Sequence, residues 1–343
     1  MSDAVPWPFA GRVAGLIAGS HPLSHTYHHD HLAAELQTIV ARANALVTAE
    51  TGLGLPGDPD VVLVSRKEWV ERNIASFQHI LAPAEQKLIE SNEISAAVGR
   101  RLVAAETGAL LGFLSRRVLG QYELVLPTGN DGDSIAFVAS NILAMERTHQ
   151  LRPAEFRMWI ALHEAAHRAQ FLGVPWMREH FLGLVERMVS AAQPSRIGRA
   201  RSLVNRALDS RRDGTSFIDD RGLMGLFASP EQSEVLDEIQ GMMSLLEGHG
   251  HVVMDRIGAR LLTSQARMAS LLKARRSDPR TAAFFRLTGL EMKVKQYEQG
   301  ERFVLTVERE AGWSALDRAW QGPGNLPTAA EIESPLLWLA RTA

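Results

Sequence analysis

Cysteine is absent from the 343-residue chain. That excludes disulfides, thiolate nucleophiles and cysteine-held zinc sites, so any bound metal must rest on histidine and carboxylate. Tyrosine is scarce, with three residues in all, and phenolic donors are correspondingly few. Neither sign of charge dominates: 37 Lys and Arg stand against 39 Asp and Glu, a formal net charge of -2. This balance gives no electrostatic reason to bind nucleic acid or an anionic membrane. No apolar run approaches the ~20 residues that span a bilayer. The first twenty residues, with Asp3, Pro6, Pro8 and Arg12 among them, lack the apolar stretch of a secretory signal. The expectation is a cytoplasmic protein with no nucleic-acid and no membrane partner.

What the chain does have is ordinary core material, 45% hydrophobic against 22% charged residues. Most of it is spaced for helices. The pattern predicts helices over Asp30–Thr51, Arg66–Leu81 with another starting at Pro83, Ile94–Leu119, Pro153–Phe171, Trp176–Ala192, Arg196–Arg212 and Pro230–Ile257. Ala104, Ala105, Gly108 and Ala109 in the third of these leave room for a closely packed neighbour. Strands are predicted at Val61–Val64, Tyr122–Leu126 and Ser134–Val138. The Pro/Gly-rich stretch Gly322–Pro327 suggests an extended tail on the body. Five histidines between His21 and His31 accompany no carboxylate pattern and fit a solvated helix start, and the arginines of 196–212 fit a solvated face. With no repeat and no low-complexity linker, residues 1–343 are expected to form a single domain, mainly α with a small β-sheet, its core metal-site region at about 120–260.

One stretch carries chemistry. His163-Glu164-Ala165-Ala166-His167 places two histidines four residues apart inside a predicted helix, where both imidazoles share one face and can reach one metal ion. Glu164 sits beside that face, positioned to take a proton from water. Zinc peptidases use this spacing. Pro153 and Glu155 favour the helix start, and Gly173 with Pro175 ends it.

A catalytic zinc needs a third protein ligand and an open position. An extension with Gly at 170 and His at 173 is ruled out by Gln170 and Gly173. Glu186 lies at a plausible distance downstream and stays open as an alternative. The preferred ligand is Glu247, which with His251 and Asp255 steps by four along one helix face. His251 or Asp255 is then expected to hydrogen-bond the outer nitrogen of a ligand histidine, and His249 to face solvent. Gly248 and Gly250 weaken that helix by about 1 kcal/mol each, which implies a close neighbour, expected to be the metal-bearing helix. Tyr297 and His251 are candidate donors to an oxyanion. Asn141 either fixes the strand beside a substrate or serves as a cap.

The blocks 159–171, 244–250 and 289–300, together with Asn325-Leu326-Pro327-Thr328, resemble a zincin-like family widespread in actinobacteria. Its members are labelled zinc-dependent metalloproteases or hydrolases, some with a loose association with biosynthesis of a deazaflavin coenzyme. The resemblance spans most of the chain and implies a zincin-like core with one zinc ion. It implies His163 and His167 as ligands, Glu247 as the third, Glu164 as catalytic base, and a peptide or protein substrate. The alternative is a catalytically inactive metal-binding or scaffold protein, for which a closed site with His249 or His251 as fourth ligand is the signature.

Overall fold

The computed structural model describes residues 5–89, 94–125, 131–190, 230–276 and 292–343. Among these the chain is mostly helical, with one three-stranded sheet. In order it runs α1 (Trp7–Ala18), α2 (Tyr27–Thr51), β1 (Asp60–Val64), α3 (Arg66–Ile89), α4 (Ile94–Ser115), β2 (Gly120–Val125), β3 (Asp131–Val138), α5 (Ala139–His149), α6 (Pro153–Leu172) and α7 (Met177–Ser190). It continues with α8 (Pro230–Leu261), α9 (Gln265–Arg276), α10 (Met292–Ala311), α11 (Ala329–Glu333) and α12 (Pro335–Arg341). The sheet order is β1-β3-β2, with β1 parallel and β2 antiparallel to the central β3. The mainly α architecture with a small sheet is the one predicted. The predicted basic helix at 196–212 lies outside the described residues.

Two expectations about local structure change. α3 runs unbroken through Pro83, because proline forfeits one helical hydrogen bond yet keeps a helical φ. The tail is not simply extended: Pro323–Asn325 forms a 3₁₀ turn, and α11 follows behind a capping box of Thr328 and Glu331.

The chain divides into two compact units, residues 1–182 with 249–271, and residues 183–248 with 272–343. In the first, α1, α3, α4, β1 and β3 enclose an apolar core of Trp7, Ala10, Ala14, Trp69, Val70, Leu111 and Val138. Gly108 of α4, with Gly112 one turn on, lies against the backbone of α1. Asn141, at the start of α5, donates to the Ser115 and Val118 carbonyls at 2.8 and 2.7 Å and accepts from Arg66 Nε at 2.8 Å. It therefore acts as the cap that finishes α4. At the start of α6, Glu155 accepts from the Ser264 hydroxyl at 2.6 Å and its backbone N–H at 2.8 Å, which ties α6 to the segment that begins α9.

In the second unit α8 and α10 cross almost backbone to backbone. A Cβ on Gly300 would stand 1.9 Å from the Ser244 carbonyl oxygen, and one on Gly248 would stand 2.1 Å from the Gly300 carbonyl carbon. The neighbour that requires Gly248 is thus α10, not the helix of the histidine pair as the sequence suggested. Around this crossing Phe303 and Trp338 meet edge to face, 5.3 Å between ring centroids.

Two outcomes follow from these contacts. Gly300→Ala forces backbone atoms apart and is expected to cost about 3 kcal/mol or more, read as a lower midpoint in urea unfolding. Glu155, held chiefly by Ser264, has its pKa lowered from 4.5 to about 2. A depressed folded-state pKa contributes stability that is fully present above about 4.5 and is lost as pH falls toward about 2. Glu155→Gln should lower stability at neutral pH and flatten its decline across that acid window, measured by denaturant unfolding at a series of pH values.

Candidate metal centre

Helix α6 begins with Pro153 at its first turn and ends at Gly173, whose N–H reaches the Ala169 carbonyl. It is buried on nearly every side, from Phe156 to Leu162 and on through Gln170, with His163 and His167 left half-buried. A helix so enclosed satisfies most of its polar side chains with partners from another element or from its own turn.

The two histidines present Nε2 to Nε2 at 3.1 Å, their rings 4.5 Å apart and nearly perpendicular. Donor atoms of His163, His167 and Glu247 all lie within 4.8 Å of one another, and among the described residues this is the group of His, Asp or Glu able to hold a metal ion. Zinc bonds of about 2.1 Å at tetrahedral angles set neighbouring donors about 3.4 Å apart. Two imidazole nitrogens and a carboxylate at this separation fit zinc in chemistry and in spacing. Glu186, the alternative third ligand, is exposed on α7.

Glu164 is 5% exposed and turns to the sheet. Its Oε2 accepts the Tyr122 backbone N–H at 3.0 Å. β2 is an edge strand, so this donor lies on the side not shared with β3. Two residues back, Gly120 makes room for the carboxyl group: a Cβ there would stand 2.8 Å from both Cγ and Oε1 of Glu164. Farther along the same edge, Arg178 donates through Nη2 to the Leu124 carbonyl. Tyr122 stacks on Phe171 and donates its hydroxyl to the Gly132 carbonyl at 3.1 Å. Burial, aided by Asp133, pushes its phenol pKa upward, so it stays neutral.

Arg168, between the motif and Gln170, is fully buried. Its Nε and Nη2 pair with the two Asp133 oxygens at 2.6 and 2.7 Å, and Nη2 also reaches the Pro56 carbonyl at 2.8 Å. The pairing is two-pronged and anchors α6 to β3 and to the loop before β1.

Gln170, which in the sequence only ruled out an extended motif, belongs to the site. Its Oε1 lies 3.0 Å from His167 Nδ1, and its Nε2 lies 3.0 Å from His249 Nδ1. His249 is therefore not solvent-facing: it is 2% exposed, and burial, with His167 adding to it, lowers its pKa to about 3. It stays neutral, and its Nδ1 is engaged by Gln170 rather than offered as a fourth ligand. On the outer nitrogen of His167 the partner is this glutamine, where the sequence had suggested His251 or Asp255. Asp255 takes a hydrogen bond from Gln265 at 2.8 Å and stands 3.6 Å from His251 Nε2. Gly250 lies over His167 and Ala166 at ordinary van der Waals distance, so of the two glycines it is Gly250 that faces the histidine helix. Tyr297 falls on α10, but its side chain lies outside the described residues.

No described helix is long and apolar enough to cross a membrane. No curated protein matches the chain. Among solved structures, a candidate hydrolase with a novel fold from Chloroflexus aurantiacus is similar at 31% identity and a TM-score of 0.72, covering 98% of each chain. The family model described as zincin-like metallopeptidase matches residues 5–339. That match carries the family and no organism or pathway. With the match spanning nearly the whole sequence and the paired histidines lying at its centre, the chain belongs to the zincin-like metallopeptidase family.

Proposed function

We propose that this protein is a zinc-dependent hydrolase that cleaves peptide bonds, with one zinc ion held by His163, His167 and Glu247 and with Glu164 as general base. The observation that carries this reading is the convergence of those three donors within 4.8 Å on the helix that bears Glu164. Zinc supplies Lewis acidity there, making water nucleophilic near neutral pH and polarising a carbonyl.

The protein's own residues do the rest. Glu164 takes a proton from water as the water oxygen bonds to the carbonyl carbon. It then gives that proton to the amide nitrogen as the C–N bond breaks, leaving a carboxylic acid and an amine. The Tyr122 N–H holds one carboxylate oxygen, so the base is oriented before substrate arrives. His251 is the candidate donor to the developing oxyanion. Its position one turn beyond Glu247 supports that role, and Tyr297 is the second candidate. The substrate is a peptide or protein, and the cytoplasm is the proposed compartment.

Purified protein should retain close to one zinc per chain by elemental analysis and hydrolyse a mixed peptide library. Glu164→Gln should keep its zinc and lose about 10²–10⁴-fold in rate, the range of general base catalysis. A variant with both zinc and full activity sinks the mechanism, and a wild type without stoichiometric divalent metal sinks the zinc assignment. Gly120→Ala tests the seat of the base separately. The added methyl group displaces Glu164, so kcat should fall by about tenfold or more, while zinc content stays near wild type.

A further inference from the structure

We propose that Gln170 is a positioning residue which, together with His249, fixes where the proton sits on His167, so that Nε2 of His167 is the bare nitrogen. The link to a metal rests on the zinc reading above, but the proton arrangement stands on its own geometry. A carboxamide oxygen can only accept, and a carboxamide nitrogen can only donate. With Oε1 3.0 Å from His167 Nδ1, that imidazole must carry its proton on Nδ1. Its lone pair is then on Nε2, the atom that faces His163 Nε2 at 3.1 Å. At the other end, the amide nitrogen 3.0 Å from His249 Nδ1 requires a bare Nδ1 there, so the buried His249 carries its proton on Nε2.

The three side chains form a relay with two self-consistent settings. In the observed one, the amide oxygen faces His167, His167 is protonated on Nδ1 and His249 on Nε2. Turning the amide by half a rotation reverses all three: His167 becomes protonated on Nε2, its donor electron pair is hidden, and His249 becomes protonated on Nδ1. Mixed settings set donor against donor or acceptor against acceptor inside a buried site, which is costly. A ligand that takes the lone pair of His167 Nε2 therefore selects the first setting and thereby fixes the tautomer of His249, a residue 79 positions beyond Gln170 in sequence. Carboxylates and backbone carbonyls are common orienting partners of ligand histidines, but they lack this second, donating end. The amide carries the setting onward.

The experiment is long-range ¹H–¹⁵N spectroscopy on histidine-labelled, metal-free protein, with His167 and His249 assigned by substituting each. Expected in the wild type are Nδ1–H on His167 and Nε2–H on His249. Gln170→Glu presents an acceptor to both rings, so His167 should keep its tautomer while His249 switches to Nδ1–H, with zinc affinity by chelator competition within a few-fold. Gln170→Leu removes both partners. His167 should then show a larger share of the Nε2–H tautomer than in wild type, and zinc should bind about 10–100-fold more weakly, the range for loss of such an orienting contact. The proposal is overturned if His167 shows the same tautomer in Gln170→Leu as in wild type, or if His249 does not respond in Gln170→Glu. The glutamate variant carries the test should the leucine variant not fold. A wild type that binds no zinc yet shows the expected tautomers defeats the zinc reading and leaves the relay standing.

Discussion

The constraint on which the site depends is the burial of α6. A helix covered on nearly every face leaves its polar side chains to be met by protein rather than water, and most of them are. Arg157 is met by Glu146 and Glu35, Glu164 by the Tyr122 N–H, Arg168 by Asp133 and Pro56, and Gln170 by His167 and His249. These partners come from α2, α5, β2, β3, the loop before β1 and α8. The polar residues of one helix therefore tie these elements of the first unit to it. Glu164 and His167 held this way are already oriented, and preorganisation of that kind is what the proposed polar catalysis in a buried site requires.

Much of this was legible from residue order. The histidine pair lies on one face because 163 and 167 are four apart, and Pro153 and Gly173 bound their helix as their backbone preferences dictate. The β-branched runs at 61–64 and 134–138 are strands, and they pair in parallel. What stayed hidden involves partners far apart in the chain. Periodicity tells which residues share a face but not which element that face meets. His249 thus looked like a surface residue between two glycines, and Gln170 like a failed motif position. Gly120 held a usable signal, since glycine within a strand marks a close approach, but the approaching group, Glu164, is 44 positions away. Gly248 gave the right kind of inference with the wrong neighbour, because α10 and α6 are indistinguishable as sources of close packing until the fold is known. Arg168 is the sharpest case: an arginine is expected at the surface, and only the distant Asp133 makes its burial tolerable.

The likeness to the Chloroflexus aurantiacus protein, over 98% of both chains, shows that this arrangement of helices around a small sheet is a shared design rather than a local embellishment of one motif. Within it the five-residue pattern supplies two of the three candidate metal donors and the proposed base, while the residues that hold them lie largely on other elements. Glu164 and His167 sit one and four residues beyond His163, yet their partners are on β2 and, through Gln170, on α8.

The seat of Glu164 also bears on how the protein behaves in a crowded solution. β2 is an edge strand of the sheet, and an edge left bare invites pairing with a strand from another molecule. Here the outward N–H of Tyr122 is bound by Glu164 and the outward carbonyl of Leu124 by Arg178. The carboxylate assigned to chemistry thus also blunts a sticky surface. This second task needs no substrate, so it would persist in a variant of the chain that had lost the proposed reaction.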